Sequence, residues 1–227
     1  MRTTLSILVL FLLAAACSPG DHASLPARAA APAPPPATPV PVAADEPLVV
    51  FLGDSLTAGY GLGGEQAYPA LVEKRLEEEG IPIKALNAGV SGDTTAGGLA
   101  RLDWLLSQKP DVVVVGLGGN DGLRGLPLEQ AERNLREIVR RAKAAGARVL
   151  LLGMQIPPNY GPEYAKGFSD MYPNLAKEMD VPLVPFLLEG VGGVADLNQA
   201  DGIHPTAEGQ EKVADLVTPY VADVLAD

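Results

Sequence analysis

Leu48-Val49-Val50-Phe51-Leu52-Gly53-Asp54-Ser55-Leu56 is the stretch whose reading decides the fold. Its first five residues are an apolar run rich in strand formers. After it come Thr57, Ala58, Gly59, Tyr60 and Gly61, a glycine-punctuated bend. A buried strand that ends abruptly at a serine exposes a hydroxyl on a rigid platform. The pattern is not the Gly-x-Ser-x-Gly elbow, because Thr57 stands where the second glycine would be. The same residues also read as a strand-to-helix turn whose Ser55 caps a helix. The stretches downstream bear on that choice.

From Leu48 onward, strand-like and helix-like runs alternate. Strands are expected over 48–52, 83–86, 111–117, 147–152 and 182–184, and helices over 69–79, 95–107, 128–145, 163–179 and 206–225. Leu99, Leu102, Leu105 and Leu106 carry the spacing of an amphipathic helix. Val112 to Val115 is a β-branched run without alternation, which suits a parallel strand buried on both faces. Strands alternating with helices imply an α/β fold with a parallel sheet covered on both sides. The sequence has no internal repeat, and one domain is expected over 48–227.

In an open parallel sheet, ligands sit beyond the carboxyl ends of the strands. The first expected strand is followed by Gly53-Asp54-Ser55, the second by Asn87 to Thr94, and the third by Gly116 to Gly122. The fourth leads into Met154-Gln155-Ile156-Pro157, and the fifth, after a longer loop, into Asp201-Gly202-Ile203-His204-Pro205. The unusual polar clusters therefore fall on one edge. The chain has 2 histidines, and His22 lies before the domain, so His204 is the histidine available to a site. A serine hydroxyl is a weak nucleophile and needs a partner to take its proton. An imidazole suits that work, and a carboxylate on its other nitrogen fixes its tautomer. Asp201, three residues before His204, is the candidate carboxylate, although both residues also fit a turn that caps the last helix. Acyl transfer needs donors for a developing oxyanion, and Ser55 N–H, Gly92 N–H and the Asn120 amide are candidates. No Gly-Lys-Ser/Thr follows Gly116 to Gly122, which weakens a nucleotide-binding reading.

Gly53-Asp54-Ser55-Leu56, Gly92 in Ser91-Gly92-Asp93, Gly119-Asn120-Asp121 and Asp201-Gly202-Ile203-His204-Pro205 resemble the four blocks of the SGNH, or GDSL, hydrolase superfamily. The resemblance runs from Leu48 to the C-terminus, with the blocks in order. Asn87 to Thr94, Leu117 to Gly125, Pro158-Asn159-Tyr160-Gly161 and Val181-Pro182-Leu183 are similar to its bacterial multifunctional thioesterase, lysophospholipase and arylesterase branch. The resemblance implies Ser55 as nucleophile, His204 as base, Asp201 as orienting acid, and an oxyanion hole of Ser55, Gly92 and Asn120. It implies a flavodoxin-like three-layer α/β/α fold with a parallel five-stranded sheet, and neither metal nor cofactor. Between Glu189 and Ala200 the chain departs from the branch; Gly190, Gly192 and Gly193 are expected to loosen a loop near the catalytic pair. The expected activity is that of a serine ester hydrolase acting on small-molecule esters or acyl thioesters. Leu123, Leu126, Ile156 and Pro157 follow strand ends and are expected to border an acyl groove, though each also fits ordinary packing. A carbohydrate O-acetylesterase uses the same machinery on a shallower site, and a tethered binding module that lost catalysis is the reading from another class.

The net charge of −11 argues against nucleic acid or an anionic surface as partner. Arg2 precedes Leu5 to Ala16, an apolar stretch too short to span a bilayer. Residues 1–17 read as a secretory signal. Ala14-Ala15-Ala16-Cys17 resembles a lipobox that would leave a lipidated Cys17, while Ala14-x-Ala16 also suits ordinary cleavage. Residues 18–47 are dense in Pro and Ala, as expected of an extended tether. An exported protein is expected, held in the periplasm or at the outer membrane through Cys17.

Overall fold

The computed structural model describes residues 46–226. The signal segment with Cys17, and the tether except Glu46 and Pro47, lie outside the described residues.

Five segments extend as strands: β1 (Leu48–Gly53), β2 (Lys84–Gly89), β3 (Val112–Gly116), β4 (Arg148–Leu152) and β5 (Leu183–Val184). They form one 5-stranded sheet in the order β2-β1-β3-β4-β5, parallel at every pairing. This is the flavodoxin-like order, in which the strand order reverses at β1 and β3 and opens a crevice at their carboxyl ends. Val112 to Val115 and Val49 to Leu52 are fully buried, as runs covered on both faces require. Each such side chain contributes roughly 1.5–3 kcal/mol.

The helices are α1 (Ser55–Ala58), α2 (Tyr68–Glu78), α3 (Thr95–Leu106), α4 (Gly119–Leu123), α5 (Leu128–Ala144), α6 (Pro162–Met179) and α7 (Ala207–Ala226). α2 packs on α7, while α3 packs on α5 and α5 on α6, so two helical layers enclose the sheet. α5 buries Leu135, Ile138, Val139 and Ala142, and its outer Glu137 pairs with Arg140 and Arg141. No helix among the described residues is long and apolar enough to cross a membrane.

Two differences from the sequence reading bear on the site. β2 continues to Gly89 instead of stopping at Leu86, because Asn87, Ala88 and Gly89 keep pairing with Phe51, Leu52 and Gly53. α1 and α4, of 4 and 5 residues, are too short to carry a periodic signal.

β1, β2 and β3 each end on glycine, and the pairing aligns Gly53 with both Gly89 and Gly116. α1 rests directly on this row. A Cβ on Gly89 would lie 2.3 Å from Ala58 N, and one on Gly53 would lie 1.9 Å from Thr57 Oγ1. Backbone cannot yield as a side chain tip does. Gly89→Ala is therefore expected to cost roughly 1–3 kcal/mol, or a Tm fall of roughly 2–12 °C. Gly64→Ala, which meets nothing within 4 Å, serves as the control and should leave Tm unchanged in a thermal melt.

Candidate active site

β1 delivers the chain to Asp54, which turns it into α1. Asp54 Oδ1 accepts the Leu56 N–H at 3.0 Å and so caps the helix. The capping role read for Ser55 thus falls to its neighbour, and Ser55 stands as the first helical residue.

Ser55 Oγ lies 2.9 Å from His204 Nε2, and His204 Nδ1 lies 2.7 Å from Asp201 Oδ2. The other Asp201 oxygen accepts the N–H groups of Ile203 and His204 at 2.9 and 3.0 Å. The His204 N–H, the His204 ring and the Ile203 N–H hold the Asp201 carboxyl down at about 2. A carboxylate only accepts, so His204 carries its proton on Nδ1 and leaves Nε2 to accept from the Ser55 hydroxyl.

The loop carrying Asp201 and His204 is closed on itself. Asn198 bridges antiparallel to Pro205, the Gln199 N–H donates to His204 O at 2.7 Å, and Gly202 turns the tip at φ 71°. Gln199 Nε2 donates to Pro205 O and, at 2.7 Å, to Tyr60 O. The Tyr60 ring lies against the His204 imidazole with centroids 4.5 Å apart. The segment 189–200, expected to be loose, is pinned. Asn198 Nδ2 donates to Val191 O and Val194 O at 2.7 and 2.8 Å, and Val191 is fully buried. Gly190 and Gly193 take left-handed φ values and serve tight turns rather than slack.

Gly92 is third in the turn Val90–Asp93, closed by the Asp93 N–H to Val90 O at 3.0 Å. Its φ of 81° is the value a type II turn needs at that place. Among the described residues the Gly92 N–H enters no hydrogen bond, while Gly92 O accepts from Arg124 at 2.9 Å. Asn120 is the second residue of α4, and its Nδ2 donates to Asp54 Oδ2 at 3.2 Å. An amide nitrogen has two hydrogens, so one remains for another acceptor. Asp54 is 2% exposed, and burial pushes its carboxyl up to about 6 against the Leu56 and Asn120 hydrogen bonds.

Of the expected groove residues, Leu123 is exposed on α4, with Tyr160 O–H reaching its carbonyl at 3.4 Å. Leu126 O accepts from Tyr164 O–H at 2.6 Å. Ile156 abuts Gly122, where a Cβ would come within 2.9 Å of Ile156 Cγ2. These three share the margin between α4 and the β4–α6 connection, and Pro157 is exposed beside Ile156. A separate cavity of about 360 Å³, lined by Val194, Asn198, Gln199 and Gly202, flanks the His204 loop instead. Among the described residues, no group of three or more His, Cys, Asp or Glu side chains is placed to hold a metal ion.

The GDSL-like Lipase/Acylhydrolase family matches residues 51–212. The chain belongs to that family. It is 50% identical over 178 residues to esterase TesA of Pseudomonas aeruginosa, covering 78% of this chain and 89% of that protein. It is 47% identical over 168 residues to thioesterase 1/protease 1/lysophospholipase L1 of Escherichia coli, covering 74% and 79%. The crystal structure of the psychrotrophic esterase EstA from Pseudoalteromonas sp., inhibited by monoethylphosphonate, superposes with a TM-score of 0.76. Identity there is 36%, covering 80% of this chain and 100% of that one. In this GDSL-like chain the four blocks are braced by one another and by Gln199 and Tyr60, which no motif marks. Gln199, Tyr60 and Asp54 touch the blocks through backbone carbonyls, a ring face and a buried oxygen.

Asp54 gives a pH test. Its folded-state value of about 6 lies above the ordinary 3.8, so the native state binds more protons in that window. Stability from this group is full below pH 3.8 and is lost as pH rises through about 6. The loss is roughly 3 kcal/mol by the standard conversion. Urea titrations from pH 4 to 7 should find Asp54→Asn gaining on the wild type by about that amount as pH rises. Parallel curves would show that Asp54 does not titrate with folding.

Proposed function

We propose that this chain is a serine ester hydrolase working through an acyl-enzyme. The observation that carries the reading is the continuous contact from Ser55 Oγ to His204 Nε2 at 2.9 Å and from His204 Nδ1 to Asp201 at 2.7 Å. His204 takes the Ser55 proton as Oγ attacks the ester or thioester carbonyl. Asp201 holds the imidazole in the tautomer that accepts, and offsets the imidazolium that forms. The developing oxyanion is held by the N–H groups of Ser55 and Gly92 and the remaining Asn120 hydrogen. His204 returns its proton to the leaving group, and water then repeats the sequence on the acyl-serine. Leu123, Leu126, Ile156 and Pro157 border the acyl chain. Substrates are aryl and alkyl esters, with acyl thioesters and lysophospholipids in the same class, in keeping with the names of the relatives.

The reading extends to the N-terminus: the chain is exported, processed before Cys17, and tethered to a membrane through lipid on that residue. Support comes from Ala14-Ala15-Ala16-Cys17 behind an apolar run, followed by the Pro/Ala-rich segment.

Ser55→Ala should abolish p-nitrophenyl ester turnover while circular dichroism stays native; full turnover would end the reading. Asn120→Ala should lower kcat by roughly 10²–10³ with little change in KM. An unchanged kcat would remove the amide from the oxyanion hole. Intact mass spectrometry of the exported protein should find Cys17 at the N-terminus with added acyl mass. An unmodified Cys17 would refute the tether.

A further inference from the structure

We propose that Arg101 is a positioning residue that sets the Ser55 and Gly92 amide donors relative to one another; this rests on the hydrolase reading above. Arg101 lies on α3, well separated in sequence from Ser55 and about two helical turns of chain past Gly92. Its three nitrogens go three ways. Nε donates to Asp93 Oδ2 at 2.9 Å, Nη1 to Ala88 O at 2.6 Å, and Nη2 to Gly53 O at 2.9 Å. Gly53 O is two residues before Ser55, Ala88 O is on the edge strand β2, and Asp93 directly follows Gly92. One planar group thus joins the strand that carries the nucleophile to the turn that carries the second donor.

Two further contacts make the joint specific. The Val90 N–H also donates to Gly53 O at 3.0 Å, so the turn holding Gly92 hangs from the same carbonyl that Arg101 holds. Asp93 folds back over the first turn of α3 into space that only a glycine leaves open. A Cβ on Gly97 would lie 1.7 Å from Asp93 Oδ1. The same helix is locked to the third donor's element. The Thr95 N–H and hydroxyl donate to Asp121 at 2.8 and 2.6 Å, and Asp121 is the neighbour of Asn120 on α4. α3 is therefore the frame on which the three donors are set, and Arg101 is its contact with two of them.

A guanidinium satisfies three divergent acceptors because its donors lie in a fixed fork; an ammonium on a flexible stem does not. Misplacing a donor by about 1 Å is expected to cost on the order of 10² in rate. The cost falls on kcat, because the donors act when charge develops on the oxygen.

The test uses Arg101→Lys and, at the other end of the link, Asp93→Ala. Ser55 is titrated with a fluorophosphonate so that rates are expressed per reactive serine, and kcat and KM are measured on a p-nitrophenyl ester. Both variants should label to the wild-type extent, more slowly. Their kcat per titrated serine should fall roughly 10- to 100-fold, with KM within about twofold. Arg75→Met is the comparison. Arg75 makes a similar cross-link from α2 to Glu211 and Asp215 on α7, away from these donors. It should lower Tm and leave kcat per titrated serine unchanged. Wild-type kcat in Arg101→Lys, or activity lost only in proportion to serine that no longer labels, would overturn the proposal. Wild-type protein whose Ser55 takes no label would overturn the hydrolase reading itself, and this proposal with it.

Discussion

Three neighbouring strands end on glycine in register, and that missing row of side chains sets how close α1 comes to the sheet. Gly53 faces Thr57 Oγ1, and Gly89 faces the Ala58 backbone at distances no Cβ would permit. With α1 seated this low, Thr57 Oγ1 meets the buried Tyr68 hydroxyl at 3.0 Å, and Asn87 Nδ2 reaches Thr57 O at 2.9 Å. Ser55 begins a helix of 4 residues, far below the length at which a helix is stable alone. Its position is therefore a property of the sheet edge and its glycines, not of helix propensity.

The carboxylate beside Ser55 works against its own ionisation. Asp54 is buried deeply enough to be raised to about 6, yet it caps α1 and accepts from Asn120. Both contacts favour the charged form, and burial outweighs them. Fixing Asn120 and the serine turn through one side chain thus carries a cost in stability above pH 6. Strain of this kind is commonly concentrated around sites and offset elsewhere, here by a sheet whose central strands are fully buried.

The architecture was legible because it is written in local patterns. The valine run, the amphipathic leucines of α3 and the alternation of strands with helices each act within about a dozen residues, the range over which periodicity works. The convergence of Ser55, Asn120, Asp201 and His204 on one edge followed from the rule for parallel sheets. What stayed hidden is long-range or lacks a motif. Arg101 reads in sequence as one charge on an amphipathic helix, and nothing local marks its reach to Gly53. Asn87 to Gly89 looked like loop because edge strands are half exposed and carry no apolar run. Gly190, Gly192 and Gly193 suggest slack in composition alone, which cannot reveal that Asn198 pins the carbonyls around them.

The contact on which the proposed chemistry rests is itself not self-supporting. Asp201 and His204 are three residues apart, and their loop closes with its own hydrogen bonds, so that pair is assembled locally. Ser55 and His204 are 149 residues apart, and one hydroxyl–imidazole bond is too weak to hold two elements in register. Two glutamines supply the missing constraint. Gln199 Nε2 ties the His204 loop to Tyr60 O just past α1. Gln210, on α7 after that loop, accepts the Tyr68 N–H at 2.8 Å and donates to Leu56 O at 3.1 Å. The residue after Ser55 and the residue behind His204 are thereby bound on both sides of the gap. Neither glutamine touches Ser55 Oγ or the His204 ring, yet both brace the segments that bring these two side chains to 2.9 Å.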